Sequence, residues 1–375
     1  DSGSAVAVAQ QLLRILEAPF ELDGQRVEIG ASIGIASYPA HGSDTATLLR
    51  RADVAMYVAK RGESGIVIYT VEQDHHSADR LTLGGDLRRA IENSELLLHF
   101  QPKLDLRDGT LAGVEALVRW QHPLRGFLPP GEFISLAEQT GLIYPLTRWV
   151  LEAALRQQRA WHGMGMVLPV AVNLSRRTLQ DPQLPLMVAQ LLARYEVQSS
   201  ALVLEITESS LMTDPQHAIE NLTQLRALGV RMSIDDFGTG YSSLASLKNL
   251  PVDELKIDQS FVQAMVTDAS ARAIVRAIID LADALQLRVV AEGVEDRATW
   301  DVLAGLGCDV AQGYFLSRPI GATELEAWIA NVSQSWLELA GKPHVEVALQ
   351  ERIRGRGARL SAEEEFIARK QVEAA

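Results

Sequence analysis

A chain of 375 residues, 47% of them hydrophobic, can bury a large core and has room for two or three structural units. Its net charge of −13 argues against sequence-independent binding to a nucleic-acid polymer, which depends on clustered lysine and arginine. Cys308 is the one cysteine, which rules out a disulfide framework or a thiolate zinc site and fits a reducing, cytoplasmic setting.

No apolar run approaches a membrane span and no signal peptide opens the chain, so this segment is expected to make no membrane contact. The opening "DSGSAVAVAQQLL" reads as a cut inside a longer polypeptide, whose upstream part would carry any sensor or membrane region.

Residues 1–78 predict a helix over 5–16, a strand pair in "FELDGQRVEIGASIGIASYP" with Asp23 and Gly24 as the turn, a helix over 44–60 and a short strand "GIVIYT". The polar run "EQDHHSADR" joins this zone to the next. His75 and His76 fall in that run and read as solvated joint residues rather than metal ligands.

From residue 79 to 335 the rhythm changes. Short apolar strands end in polar residues: "LAGVEAL", "LPVAVNLS", "LVLEITES", "VRMSIDD", "VDELKID", "LRVVAEGVE" and "CDVAQGYFLS". Between them lie stretches such as "PLTRWVLEAALRQQRAW" with apolar residues at helical spacing. Strands buried on both faces and alternating with helices predict a parallel α/β sheet, and seven or eight units of this size suit a closed (β/α)8 TIM-like barrel. An open doubly wound sheet is the alternative, but no glycine-rich dinucleotide fingerprint follows the first strand. Residues 336–375 form a mixed-charge tail, where Ser361 and Glu364 make a capping box for a terminal helix.

The predicted strands end on Glu115, Asn173, Glu205, Asp235 with Asp236, Lys256, Glu292 and Gln312. In a parallel barrel all C-terminal strand ends meet on one face, so residues scattered in sequence can converge. Two adjacent carboxylates there are costly: like charges about 4 Å apart repel by roughly 4 kcal/mol at an effective dielectric near 20. A donor set of oxygens without thiolate or imidazole selects Mg2+ or Mn2+, and so many carboxylates suit two ions. A two-metal carboxylate site predicts hydrolysis of a phosphate ester or diester, with Lys256 as a point charge and Glu292 as general base or ligand of the second ion. A metal-dependent lyase or aldolase on the same barrel is the rival; it would want its lysine in an apolar pocket, whereas Lys256 sits among acids.

These residues also carry a resemblance. "VEALVRW", with Glu115, Ala116 and Leu117, resembles the signature of EAL domains, the bacterial cyclic di-GMP phosphodiesterases. Further ordered motifs between about 80 and 335 are similar to that family: "HFQPKLDL", "RWQHPLRGFLPPGEFISLAEQTGLI", "VNLS", "LEITES", "IDDFGTGYSSL", "LKIDQSFV", "AEGVE" and "QGYFLSRP". The resemblance implies a (β/α) barrel with an altered first strand and Mg2+- or Mn2+-dependent cleavage of cyclic di-GMP to linear pGpG.

It places metal ligands at Glu115, Asn173, Glu205, Asp235 and Asp236, with Glu292 as base or second-metal ligand and Lys256 beside the nucleophilic water. It implies substrate contacts at Gln101, Leu117, Arg119 and Gln312, a loop-holding role for Glu208, and a homodimer through the EAL domain. "VEIGASIGIASYPAHGSDTATLLRRADVAMYVAKRGESGIVIY" resembles the C-terminal half of a GGDEF domain, with Lys60 at a position near nucleotide phosphates in a complete module. Without the signature turn that would precede Asp1, this part is expected to synthesise nothing and to act as packing remnant or hinge. A receptor that binds cyclic di-GMP uncut, and a scaffold working through the tail or the loop after Asp236, stay open beside the enzyme.

Overall fold

The computed structural model describes residues 2–16, 20–22, 25–27, 30–61, 65–93, 95–212, 214–239, 247 and 250–330. Asp23 and Gly24, the loop over 240–246, the side chains of Lys60, His75 and His76, and the tail with Ser361 and Glu364 lie outside that description. The chain divides into two units, Asp1–Arg89 and Ala90–Ala375.

In the first unit the helix Ser2–Leu16 is followed by strands β1 (Phe20–Leu22) and β2 (Gln25–Val27), paired antiparallel with Leu22 opposite Gln25. Strands β3 (Ile33–Ile35) and β4 (Ile66–Ile68) pair in parallel, and the helix Thr45–Arg61 connects them. That helix packs against β3 at Gly34, where a Cβ would stand 2.0 Å from the carbonyl oxygen of Ala52. Only glycine permits so close an approach. The helix buries Ala55 and Ala59. The polar run 72–80, expected as a joint, is part of a continuous helix, Val71–Glu92.

The second unit is a closed barrel. Strands β5 (Leu96–Asp105), β6 (Leu111–His122), β7 (Gly126–Leu128), β8 (Val170–Leu174), β9 (Leu202–Thr207), β10 (Arg231–Phe237), β11 (Glu254–Ile257), β12 (Arg288–Ala291) and β13 (Val310–Gln312) form one sheet. Its order is β5-β13-β12-β11-β10-β9-β8-β6, closed by pairing of β5 with β6, while β7 is an outlying hairpin partner of β6. Seven barrel strands are the predicted ones and run in parallel from β6 through β13. The eighth, β5, is antiparallel to both neighbours, with Gln101 opposite Glu115 and Lys103 opposite Gln312.

The helices cover the outside in the usual amphipathic way. The helix Ala269–Leu285 buries Ala271, Val275, Ile278, Ile279 and Ala282, a stripe of helical period, and Asp268 caps it by accepting from the Ser270 N–H. The helix Arg297–Leu306 is capped by Asp296 and ends at Gly307, in the left-handed conformation with φ 79°. Cys308, just beyond, is buried and donates to the carbonyls of Val310 and Val289, and burial pushes its thiol up to about 12. It is a small core side chain, not a nucleophile.

Candidate metal centre

Each strand delivers its polar group by simple alternation. Residues two apart on a strand share a face. Gln101 and Lys103 on β5, and Ser233 and Asp235 on β10, therefore point the same way into a barrel whose outer positions are apolar. Cross-strand register then brings Asn173 beside Glu205 and Glu205 beside Ser233. The pairing is interrupted between Ile234 and Phe237, and Asp236 adopts φ 54°, the left-handed region. That turn breaks the alternation. It lets the carboxylates of Asp235 and Asp236 face the same space, and the Asp236 N–H donates to Asp235 Oδ1 at 3.0 Å.

At the centre stands Lys256, wholly buried. Its Nζ lies 2.7 Å from Glu292 Oε1, 3.0 Å from Glu205 Oε2 and from Asp235 Oδ1, and 3.6 Å from Glu115 Oε2. Glu115 also accepts from the amides of Asn173 and Gln312, both at 2.6 Å. Gln312 donates onward to Gln101 Oε1 at 3.0 Å, and Gln101 to the Ser317 carbonyl at 3.2 Å. Eight of the predicted residues thus form one hydrogen-bonded and ion-paired network, with Asp236 attached through Asp235.

The loops after β12 and β13 lock two of these groups together. The Val294 N–H donates to the Gln312 carbonyl and the Phe315 N–H to the Val294 carbonyl. A Cβ on Gly313 would lie 2.1 Å from the Val294 carbonyl oxygen, so this crossing needs glycine. On the other side of the rim, Glu208 Oε2 accepts from the Gly238 N–H at 3.2 Å and so ties down the first residues after Asp236.

Two predicted residues stand apart. Leu117 lines a cleft of about 460 Å3 that shares Asn173 with the network and is bounded by Ile134, Ser175, Arg176 and Thr207. Arg119 is half-buried and donates to the Val118 carbonyl, with no direct bond to the acids; burial pushes its guanidinium down, against the pull of Glu115.

One member was not predicted. Lys103, buried on β5, donates to Glu205 Oε1 at 2.6 Å and lies 3.9 Å from Glu254 Oε1. The motif "HFQPKLDL" contained it, but β5 was not among the predicted strands, so the alternation that points Lys103 inward beside Gln101 could not be read from strand ends.

The electrostatics are those of a site made for cations. Glu115, Glu205, Asp235, Asp236 and Glu292 surround Lys256, with Lys103 beneath; fully ionised, five acids against two ammonium groups leave three negative charges in excess. The acids respond in opposite directions. Burial opposes the charge of Glu115, but Lys256, Lys103 and the two amides outweigh it and hold the carboxyl down at about 2. Burial, with Glu115 nearby, pushes Glu205 up to about 8. Burial and neighbouring Asp235 push Glu292 up to about 7, against the pull of Lys256. Burial and Asp235 also raise Asp236 to about 6. Lys256 is driven well above its usual range because four acids more than repay its desolvation.

Does a divalent ion fit? Among the described residues, oxygens of Asp235, Asp236 and Glu292 all lie within 4.8 Å of one another. Among the described residues nothing donates to the buried Gln312 Oε1, an acceptor left open. Carboxylate and amide oxygens in excess of local positive charge are what a hard cation requires. The residues fit a hard divalent cation.

Comparison with known proteins agrees with this geometry. Residues 85–319 match the model of the EAL domain, and residues 2–65 that of the diguanylate cyclase, GGDEF domain. The bifunctional diguanylate cyclase/cyclic di-GMP phosphodiesterase MucR of Pseudomonas aeruginosa is 43% identical over 332 residues, 88% of this chain and 48% of that protein. The cyclic di-GMP phosphodiesterase PdeR of Escherichia coli is 41% identical over 323 residues, 86% of this chain and 49% of its own. The chain therefore spans about half the length of these curated relatives. The solved structure described as the PaMucR phosphodiesterase in complex with c-di-GMP superposes with a TM-score of 0.63 at 47% identity, covering 65% of this chain and 99% of that one. With the matched barrel taking up more than half of its length, this chain belongs to the EAL domain family.

Proposed function

We propose that the barrel hydrolyses cyclic di-GMP to linear pGpG with the help of two divalent cations, Mg2+ or Mn2+. The observation that carries this reading is the excess of carboxylates at one rim: five acids around one buried lysine, two of them adjacent in sequence and turned to the same side. The relatives named cyclic di-GMP phosphodiesterase, and the similar structure holding c-di-GMP, supply the substrate.

In this reading Glu115, Asn173, Glu205, Asp235 and Asp236 hold the ions, and Glu292 either joins them or serves as general base. Bound there, the ions supply Lewis-acid charge and a water acidic enough to attack phosphorus near neutral pH. The chain's own groups do the rest. Glu292 is the group placed to take up a proton, and Lys256 Nζ, 2.7 Å away, steadies its charged form. Gln312 and Asn173 orient Glu115 through their amides. Leu117 forms the wall of the cleft beside Asn173 against which one nucleotide packs, Arg119 binds a phosphate, and Gln101 contacts substrate beside Gln312.

Glu208, through the Gly238 N–H, serves to hold the start of the loop after Asp236. The unit works as a cytoplasmic homodimer through the EAL domain, and among the described residues no helix is long and apolar enough to cross a membrane. The test is incubation with cyclic di-GMP and Mg2+ followed by chromatography. Appearance of pGpG that stops on chelation is the expected result; bound but intact cyclic di-GMP would replace this reading with a receptor.

A further inference from the structure

Beneath the rim, the barrel interior holds a second ionic layer that neither the strand-end pattern nor the proposed chemistry uses. Lys103 is its centre. The side chain is 5% exposed, and its Nζ reaches 2.6 Å from Glu205 Oε1 and 3.9 Å from Glu254 Oε1, while Ser233 Oγ donates to that same Glu254 oxygen at 3.0 Å. Glu205 itself is fully buried and is gripped from two directions: Oε1 from below by Lys103, Oε2 from the side by Lys256. A carboxylate held by a short charge-assisted bond at one oxygen cannot turn without leaving a buried ammonium unpaired.

We propose that Lys103 is a positioning residue for the metal-dependent reaction: it anchors Glu205 by Oε1 and so presents Oε2 alone to a cation at the rim. The proposal rests on the reading of Glu205 as a metal ligand. Mg2+ demands near-octahedral geometry and is poorly served by a carboxylate that swings or chelates with both oxygens. Groups that orient a ligand from behind are typically worth about 10–100-fold in metal affinity or activity. Lys103 has no path to the substrate of its own, being beneath Glu205 and on the reversed strand β5.

The test uses the full chain and two variants, Lys103→Met, which keeps the length and loses the grip, and Lys103→Gln, which keeps an N–H donor without the charge. Mn2+ binding to ion-free protein is followed by electron paramagnetic resonance of the free ion, with no substrate present. Turnover of cyclic di-GMP is then measured across Mg2+ concentration.

Lys103→Met is expected to weaken Mn2+ binding about 10–100-fold, with Lys103→Gln in between. At saturating metal, kcat should return to within a few-fold of wild type and KM should stay unchanged. Should Lys103→Met fail to fold, Lys103→Gln decides alone. Mn2+ affinity within twofold of wild type in a folded variant overturns the proposal. So does a kcat deficit that no metal concentration repairs. A wild-type chain that binds no Mn2+ would overturn the metal reading itself, a separate result from parallel binding by wild type and variants.

Discussion

Lys256→Met removes the ammonium group around which the rim is built, and its cost can be worked from the contacts. Four carboxylates lie within 3.6 Å of Lys256 Nζ, and neither Lys256 nor Glu205 reaches solvent. Breaking a buried pair by deleting one partner costs about 3–5 kcal/mol, because the charge left behind is desolvated and uncompensated. For a unit of this size each kcal/mol lowers Tm by about 2–4 °C, so the ion-free variant should melt about 6–20 °C below the parent at pH 8.

The pH dependence has a definite sign. Glu205, Glu292 and Asp236 all titrate above their unfolded values, at about 8, 7 and 6. Acids of that kind contribute stability below the unfolded pKa that is lost as pH rises through the folded one. Without Lys256 they rise further, and protonation at pH 6 relieves the repulsion that ionisation restores at pH 8. The gap between variant and parent should therefore narrow as pH falls from 8 to 6. Thermal unfolding by circular dichroism in a chelating buffer reads both effects. A Tm within 3 °C of the parent at pH 8, or a gap that widens towards pH 6, would refute the reasoning.

Other perturbations separate the roles of neighbouring groups. Glu115→Ala leaves the Asn173 and Gln312 amides without their shared acceptor and should lower kcat/KM by more than the roughly 100-fold typical of an orienting group; a wild-type rate would remove Glu115 from the ligand set. Mg2+ at 100 times its Kd should stabilise the parent by about 2.7 kcal/mol and flatten the decline in Tm between pH 6 and 8, and melting curves unmoved by Mg2+ would speak against a preformed site. Gly313→Ala would drive its Cβ to 2.1 Å from the Val294 carbonyl, so activity should fall with the displacement of Glu292 and Gln312, measured by steady-state kinetics alongside Tm. Asp296→Ala, in the loop that leads from Glu292 into the following helix, should cost about 1 kcal/mol through loss of the helix cap, read as a fall in Tm.

What the sequence disclosed and what it hid follow from one physical distinction. Parallel strands read as apolar runs ending in a polar residue, and the exit of such a run is the rim. Asn173, Glu205, Asp235, Lys256, Glu292 and Gln312 were therefore legible from chain order alone. So was Glu115, although its strand β6 does not end there but runs on past its pairing with β8 to His122. The left-handed turn at Asp236 was legible in part, since two adjacent acids at the mouth of a strand demand a break in alternation. Cross-barrel distances were not legible, because they depend on the register between strands separated by dozens of residues. The polar run 72–80 misled for a related reason: charged residues without apolar periodicity look like a joint, yet here they form the first turns of a helix whose later part buries Leu83 and Leu87.

The reversed strand explains the largest gap. In an all-parallel barrel, every strand offers its C-terminal end to the rim and buries the preceding residues in apolar layers. Strand β5 runs the other way, so the residue it brings to the rim, Gln101, comes before the one it brings beneath, Lys103. Chain order along β5 is thus depth order inverted. Lys103 thereby lies in the layer under Glu205, to which the parallel strands β10 and β11 also bring polar residues, Ser233 and Glu254. The five rim acids consequently meet positive charge from the side, at Lys256, and from below, at Lys103, while the open face keeps its excess of carboxylate oxygen for ions that arrive from solvent.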